Sequence, residues 1–274
     1  MLKARILTAV PLALLLLLII GFAPPAAFSA LVALITLVAG WEWAKLGGFT
    51  GYLSRGLYTL VLAGCLGLVV LLPPSINEAI ISFAFAGWLV VFVYVVWRGL
   101  RSAVKPLLPA TRLIFGLPIL LATWLALTGI HTVNSIGPFW VFVLLALVWG
   151  ADIGAYFAGR RFGRHKLAVM ISPGKTWEGA FGGLATSLIA MGLLGMVGWQ
   201  FLEAPMPPVI WWALIGLLVV VASVLGDLFE SILKRDAGVK DSGSILPGHG
   251  GVLDRVDALL PAAPVFYFAL LGVQ

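Results

Sequence analysis

Three acidic side chains near the C-terminal end of the chain have a spacing that gives them joint chemistry. Asp254 and Asp257 lie three positions apart, which puts both on one face of a helix. An Asp at a helix start caps the helix, and capping accounts for one of this pair, not both. Asp227 ends a long apolar run, VVVASVLGDLFESILKR, and an acidic group at that depth is costly enough to mark a functional position. Asp227, Glu230, Ser231 and Lys234 recur at three- and four-residue steps and share a helix face. If the helices carrying Asp227, Asp254 and Asp257 are neighbours, the carboxylates converge. Without a cation they would repel one another. Their oxygens suit Mg²⁺, which takes one or two carboxylates plus substrate phosphates.

The connection between these helices, KDSGSILPGHGGVLD, reads as a phosphate-handling loop. Gly243, Gly248, Gly250 and Gly251 let backbone N–H groups approach an anion closely. Lys234, Arg235, Lys240 and Arg255 flank it as phosphate ligands. His249, set among the glycines, is placed to bond a phosphate or move a proton.

A second polar stretch, ADIGAYFAGRRFGRHKLAVMISPGKTWEG, contains a GKT triplet at 174–176. A nucleotide P-loop would need Gly where Val169 stands, so that reading fails. Ser172, Lys175 and Thr176 still precede a helix, whose N-terminus can receive a phosphate. Asp152 lies near the inner end of the preceding apolar run. Gly150, Gly154 and Ala158, and likewise Gly179 and Gly183, form small-residue stripes suited to helix packing. Arg160, Arg161 and Arg164 are accounted for by membrane topology.

The elements that must position these residues are membrane helices. Hydrophobic residues make up 62% of the 274 positions and charged ones 10%, against about 25% charged in soluble domains. Apolar runs occupy roughly 6–22, 26–41, 57–72, 79–97, 113–130, 137–158, 177–199, 208–229 and 259–273. Each is of the order of the 20 residues that cross a bilayer. The expected fold is an all-α polytopic bundle of about nine transmembrane helices. Pro24-Pro25, Pro73-Pro74 and Pro207-Pro208 punctuate the runs. Trp41, Trp43, Trp97 and Trp199 near segment ends read as an interfacial belt.

All 17 Lys and Arg residues fall in alternate loops, on one side of such a bundle. The positive-inside rule places that side, and the N-terminus, in the cytoplasm. Both polar stretches face it. The net charge of +6 fits cytoplasmic loops, anionic lipid and an anionic substrate. Nucleic acid is excluded, because no basic patch lies outside the short loops. Residues 1–274 read as one membrane domain, with helices over 1–130 and a catalytic half over 131–274. The cytoplasmic loops of that half are 159–178 and 231–258. Cys65, the single cysteine, reads as a small apolar residue. The first residues resemble a signal peptide, but the next apolar run starts so soon that an uncleaved helix is expected. Glu42, in WEWAK, reads as an interfacial residue paired locally with Lys45, without chemistry.

The stretch SILKRDAGVKDSGSILPGHGGVLDRVD, Ser231 to Asp257, resembles the signature of the phosphatidate cytidylyltransferase family at each of its fixed positions. A second block is similar too, in Asp152 to Tyr156 and Ser172 to Gly179, except that Gly174 stands where a Lys is common. The resemblance implies condensation of CTP with phosphatidic acid at a membrane, dependent on Mg²⁺, with a second cation left open and a homodimer permitted. It implies metal ligation at Asp227 and Asp254, with Asp257 close by. It also implies catalytic roles in the run of Lys240, Asp241 and His249. Substrate contacts would come from Asp152, Tyr156, Ser172, Lys175, Thr176, Glu178, Ser231, Lys234, Arg235 and Arg255. A bacterial inner membrane, with the site on the cytoplasmic side, is the expected location.

Three other readings compete. An enzyme using CTP with a different lipid would share the motif. A transporter would need acidic residues at the midplane rather than at one face. A scaffold protein leaves the carboxylates unexplained.

Overall fold

The structure is a computed structural model that describes residues 14–101, 104–202, 208–245 and 250–272. The described residues form helices α1 (14–22), α2 (Pro25–Leu46), α3 (Tyr52–Val70), α4 (Pro74–Gly99), α5 (Pro109–Thr132) and α6 (Gly137–Phe162). A hairpin of β1 (Lys166–Ala168) and β2 (Ser172–Thr176) follows, then α7 (Trp177–Leu202), α8 (Val209–Asp236), the single turn α9 (Leu253–Val256) and α10 (Leu259–Leu271). Seven of them, α2 to α8, are long and apolar enough to cross a membrane. The protein is a polytopic all-α membrane protein.

The prolines start helices. Pro25, Pro74, Pro109 and Pro138 occupy the first turns of α2, α4, α5 and α6. A missing N–H costs nothing there. The last predicted segment, 259–273, contains α10, a helix of 13 residues. At 1.5 Å per residue it reaches only about 20 Å, short of a full crossing. Its start has a local cause. Pro261 has no N–H to bond the carbonyl of Asp257, so the hydrogen-bond ladder breaks between α9 and α10 although Asp257 and Ala258 keep helical dihedrals. Gly226 of α8 lies against that break, where any Cβ would strike the Asp257 carbonyl. This close approach brings Asp257 beside Asp227.

The small-residue stripes meet each other. A Cβ on Gly154 would strike Thr186, one on Gly182 would strike Ala158, and one on Gly183 would press on the carbonyl of Ala151. Helices α6 and α7 therefore run nearly backbone to backbone. The antiparallel β1–β2 hairpin, pairing Lys166 with Thr176 and Ala168 with Ser172, closes their joint. Sequence periodicity did not indicate these strands, which are too short for it to register.

Polar contacts gather helix ends at one end of the bundle. Arg98, at the end of α4, pairs with Asp236, at the end of α8, and Asp236 also accepts the Leu107 N–H at 2.8 Å. Arg112, early in α5, is buried and donates to the Leu46 carbonyl at the end of α2, at 2.5 Å. Trp43 donates to the Arg112 carbonyl at 2.8 Å and is fully buried, so it does not belong to the interfacial belt. Trp97 and Trp199 are exposed, as a belt requires. Cys65 is half-buried on α3.

Candidate active site

At the polar end, α6, the hairpin, α7 and α8 enclose a cavity of about 430 Å³, lined by Asp152, Tyr156, Arg160, Lys175, Thr176 and Asp227 among others. The Lys175 ammonium lies 2.6 Å from Asp227 Oδ2, joining β2 to α8 across it. Ser231, one turn on, approaches Asp227 Oδ1 at 3.4 Å. Asp152 lies within electrostatic reach of Asp227, Lys175 and Arg255. Tyr156 accepts a hydrogen bond from Arg160 at 2.9 Å. The cavity therefore carries two carboxylates and two cations on largely apolar walls, an arrangement able to hold a phosphate-rich ligand and its counterion.

Thr176 is buried, and its hydroxyl accepts the Gly179 N–H at 3.1 Å, which makes it the cap of α7. Glu178 turns away from the cavity and binds His165, at 2.6 Å to Nδ1, together with the His165 backbone N–H. Ser172 is half-buried on β2 and is not among the residues lining the cavity. Gly174 lines it, and nothing lies within 4 Å of where its Cβ would be.

Behind the cavity, the loop after α8 is built around Asp254. Lys234 Nζ lies 2.7 Å from Asp254 Oδ1 and 2.5 Å from Glu230 Oε2. Asp254 Oδ2 accepts the Ser242 N–H at 3.0 Å, the Ser242 hydroxyl at 2.9 Å and the Gly251 N–H at 2.8 Å. Gly250 supports this turn with φ of +81°, a conformation that a side chain would strain. Burial alone would raise the Asp254 carboxyl, but the bonds from Lys234 and Gly251 outweigh it and hold it below the ordinary range. Asp257 behaves oppositely. Burial, reinforced by the charge of Asp227, pushes it up to about 7.

The three carboxylates expected to converge thus divide. Asp227 and Asp257 adjoin each other, while Asp254 faces Lys234. Among the described residues no group of three or more His, Cys, Asp or Glu is arranged to hold a metal ion. Arg235, Lys240, Asp241 and Arg255 are exposed around the loop, and His249 lies outside the described residues.

Glu42 overturns its expectation. It is fully buried at the end of α2, and its Oε2 accepts the Leu253 N–H at 2.8 Å and faces the Ser242 hydroxyl at 3.2 Å. Lys45 is not its partner. The signal was an acidic residue one position beyond the apolar run 26–41, among tryptophans, which deserved the weight given to Asp227.

These features define a polytopic membrane protein with a cavity of mixed charge where α6, α7, α8 and the hairpin meet. The chain belongs to the cytidylyltransferase family, whose model matches residues 3–272. It is 39% identical to a phosphatidate cytidylyltransferase of Pseudomonas aeruginosa, over 97% of this chain and 96% of that one. It is 34% identical to the Haemophilus influenzae protein of that name, over 99% and 100% of the two chains. A Synechocystis protein of the same name is 35% identical over 89% and 88%.

Proposed function

We propose that this protein transfers the CMP moiety of CTP to phosphatidic acid, giving CDP-diacylglycerol and pyrophosphate. The observation that carries the reading is the cavity holding Asp152, Lys175 and Asp227 at the membrane boundary, in a chain of this family. A phosphate oxygen of the lipid attacks the α-phosphorus of CTP, the bond from that phosphorus to the bridging oxygen breaks, and pyrophosphate leaves with the electron pair. The lipid phosphate is largely ionised near neutral pH, with a second pKa of about 6, so no strong base is needed. The protein's work is alignment and neutralisation of charge. Lys175 and Arg160 hold phosphate oxygens inside the cavity. Lys240, Arg235 and Arg255 receive those that face the cytoplasm, and Asp241 and His249 take the catalytic roles that the family resemblance implies.

The donor chemistry at Asp227 and Asp257 fits Mg²⁺, because that ion needs only one or two carboxylates when substrate phosphates complete its shell. Asp254, assigned to the same set by the resemblance, fits it less closely here, since Lys234, Ser242 and Gly251 engage its oxygens. When bound, the ion would neutralise charge on the CTP phosphates.

The charge asymmetry of the loops supports a cytoplasmic site in a bacterial inner membrane. The two halves share polar contacts, such as that of Glu42 with Leu253, which supports a single unit. The α6 and α7 stripes pack on each other within the chain, so they lend no face to a homodimer.

The test is to incubate purified protein with labelled CTP, phosphatidic acid and Mg²⁺, beside Asp227→Ala. Label entering lipid with the wild type alone is the expected result. No label from folded wild type would sink the reading, and label with a polyprenyl phosphate in place of phosphatidic acid would move it to another lipid.

A further inference from the structure

We propose that Glu42 is a positioning residue for this reaction. From α2 it holds the loop that presents Asp254, some 200 residues further along the chain. The inference rests on the placement of Asp254 in the site proposed above.

Three observations converge. Glu42 has no exposed surface, and its Oε2 accepts the backbone N–H of Leu253, the residue immediately before Asp254. The Ser242 hydroxyl lies between Glu42 Oε2 at 3.2 Å and Asp254 Oδ2 at 2.9 Å, so one side chain links the two carboxylates. The loop is also moulded to Glu42, since a Cβ on Gly243 or on Gly251 would collide with its carboxylate.

Glu42 Oε1 is buried without a hydrogen-bond partner. A buried carboxylate oxygen left unpaired costs stability, so a residue selected only for packing would not be a Glu. Holding the loop is what the carboxylate offers in return. It fixes Leu253, and with it the orientation of Asp254 toward Lys234 behind the cavity. Ser242 and Gly251 move with the loop, and Lys234 ties Asp254 only to α8, so Glu42 is the anchor from α2.

The experiment uses full-length protein in lipid nanodiscs, with kinetics normalised to the folded, monodisperse fraction and amide exchange followed at Gly251 and Leu253. Glu42→Ala is expected to lower kcat by about 10–100-fold, the usual effect of losing an outer support. KM for CTP should stay near wild type, and exchange at Leu253 should speed up. Glu42→Gln keeps an acceptor oxygen for the Leu253 N–H and should restore most of kcat and of the protection. A merely structural residue would change the yield of folded protein and leave kcat of the folded fraction alone.

Wild-type kcat and wild-type protection in folded Glu42→Ala would overturn the proposal. Should that variant not fold, Ser242→Ala decides, since it cuts the link between Glu42 and Asp254. Loss of kcat with faster exchange at Leu253 in Ser242→Ala supports the proposal, and wild-type kinetics and protection there overturn it. Asp254→Asn runs alongside. An inactive Asp254→Asn beside a fully active Glu42→Ala, or beside a fully active Ser242→Ala where Glu42→Ala does not fold, overturns the role of Glu42 alone. A fully active Asp254→Asn overturns the site reading and the role of Glu42 with it.

Discussion

The ammonium of Lys175 and the carboxylate of Asp227 meet at 2.6 Å across the cavity between the hairpin and α8. The pair sits where a phosphate-rich ligand and its cation would exchange places with it. Removing the ammonium leaves Asp227 facing Asp152 and Asp257 without its ion-pair partner, and strips the cavity of a proposed phosphate ligand. Lys175→Ala is expected to lower kcat/KM by about 10²- to 10³-fold, as loss of a preorganised transition-state contact does. Lys175→Arg should recover part of this. Initial rates over a CTP titration check it, and an unchanged kcat/KM would take Lys175 out of the site.

Lys234 is the only cation within bonding distance of both Glu230 and Asp254 among the described ion pairs. Lys234→Met would leave the buried Glu230 and the part-buried Asp254 without their shared counter-charge. The expected cost is about 3 kcal/mol, the usual result of breaking a buried pair from one side. Lys234→Met combined with Glu230→Gln should regain part of it. Thermal unfolding in detergent, followed by tryptophan fluorescence, reads both.

Most of the helical frame was legible because apolar runs of bilayer length have few other uses. Asp227, Asp254 and Lys234 were legible because charges are rare in such a chain. What escaped had no local signal. The contact from Glu42 to Leu253 spans 211 positions and belongs to tertiary packing. Thr176 reads equally well as a phosphate ligand or as a helix cap until α7 is seen to start one residue later. The inward turn of Trp43 depends on Arg112, a partner 69 residues away. The hairpin strands are 3 and 5 residues long, below the length at which alternation can be recognised.

Gly183 sets the spacing of α6 and α7, since its Cβ would press on the Ala151 carbonyl at 2.5 Å. Gly183→Val must push the helices apart, and overpacking of this kind costs about 1–3 kcal/mol. The same shift opens the cavity. Both a lower unfolding temperature and a raised KM for CTP are expected. A stable variant with normal kinetics would mean that the helices can separate without moving Lys175 from Asp227.

Gly174 lines the cavity with open space around its missing side chain. Gly174→Lys should fold normally and add a cation near the phosphates. KM for CTP should fall by about two- to fivefold, in keeping with a partly exposed charge pair. The gain should shrink at high salt. A KM independent of ionic strength in both proteins would place the nucleotide elsewhere.

Asp257 gives the protein a stability that depends on pH in a definite direction. Burial, with the charge of Asp227 adding to it, lifts its carboxyl from 3.8 to about 7. Below the lower value both the folded and the unfolded chain hold the proton, and Asp257 contributes nothing. Between the two values the unfolded chain releases a proton that the folded one keeps, so folding is progressively disfavoured as pH rises. Above about 7 both forms are ionised and the penalty stays constant. Asn cannot ionise, so Asp257→Asn removes the penalty. In EDTA, its unfolding temperature should match wild type near pH 4, exceed it increasingly toward pH 7, and hold that margin at pH 8. A margin that does not vary with pH would show that Asp257 keeps its charge throughout, with Asp227 too well screened by Lys175 to influence it.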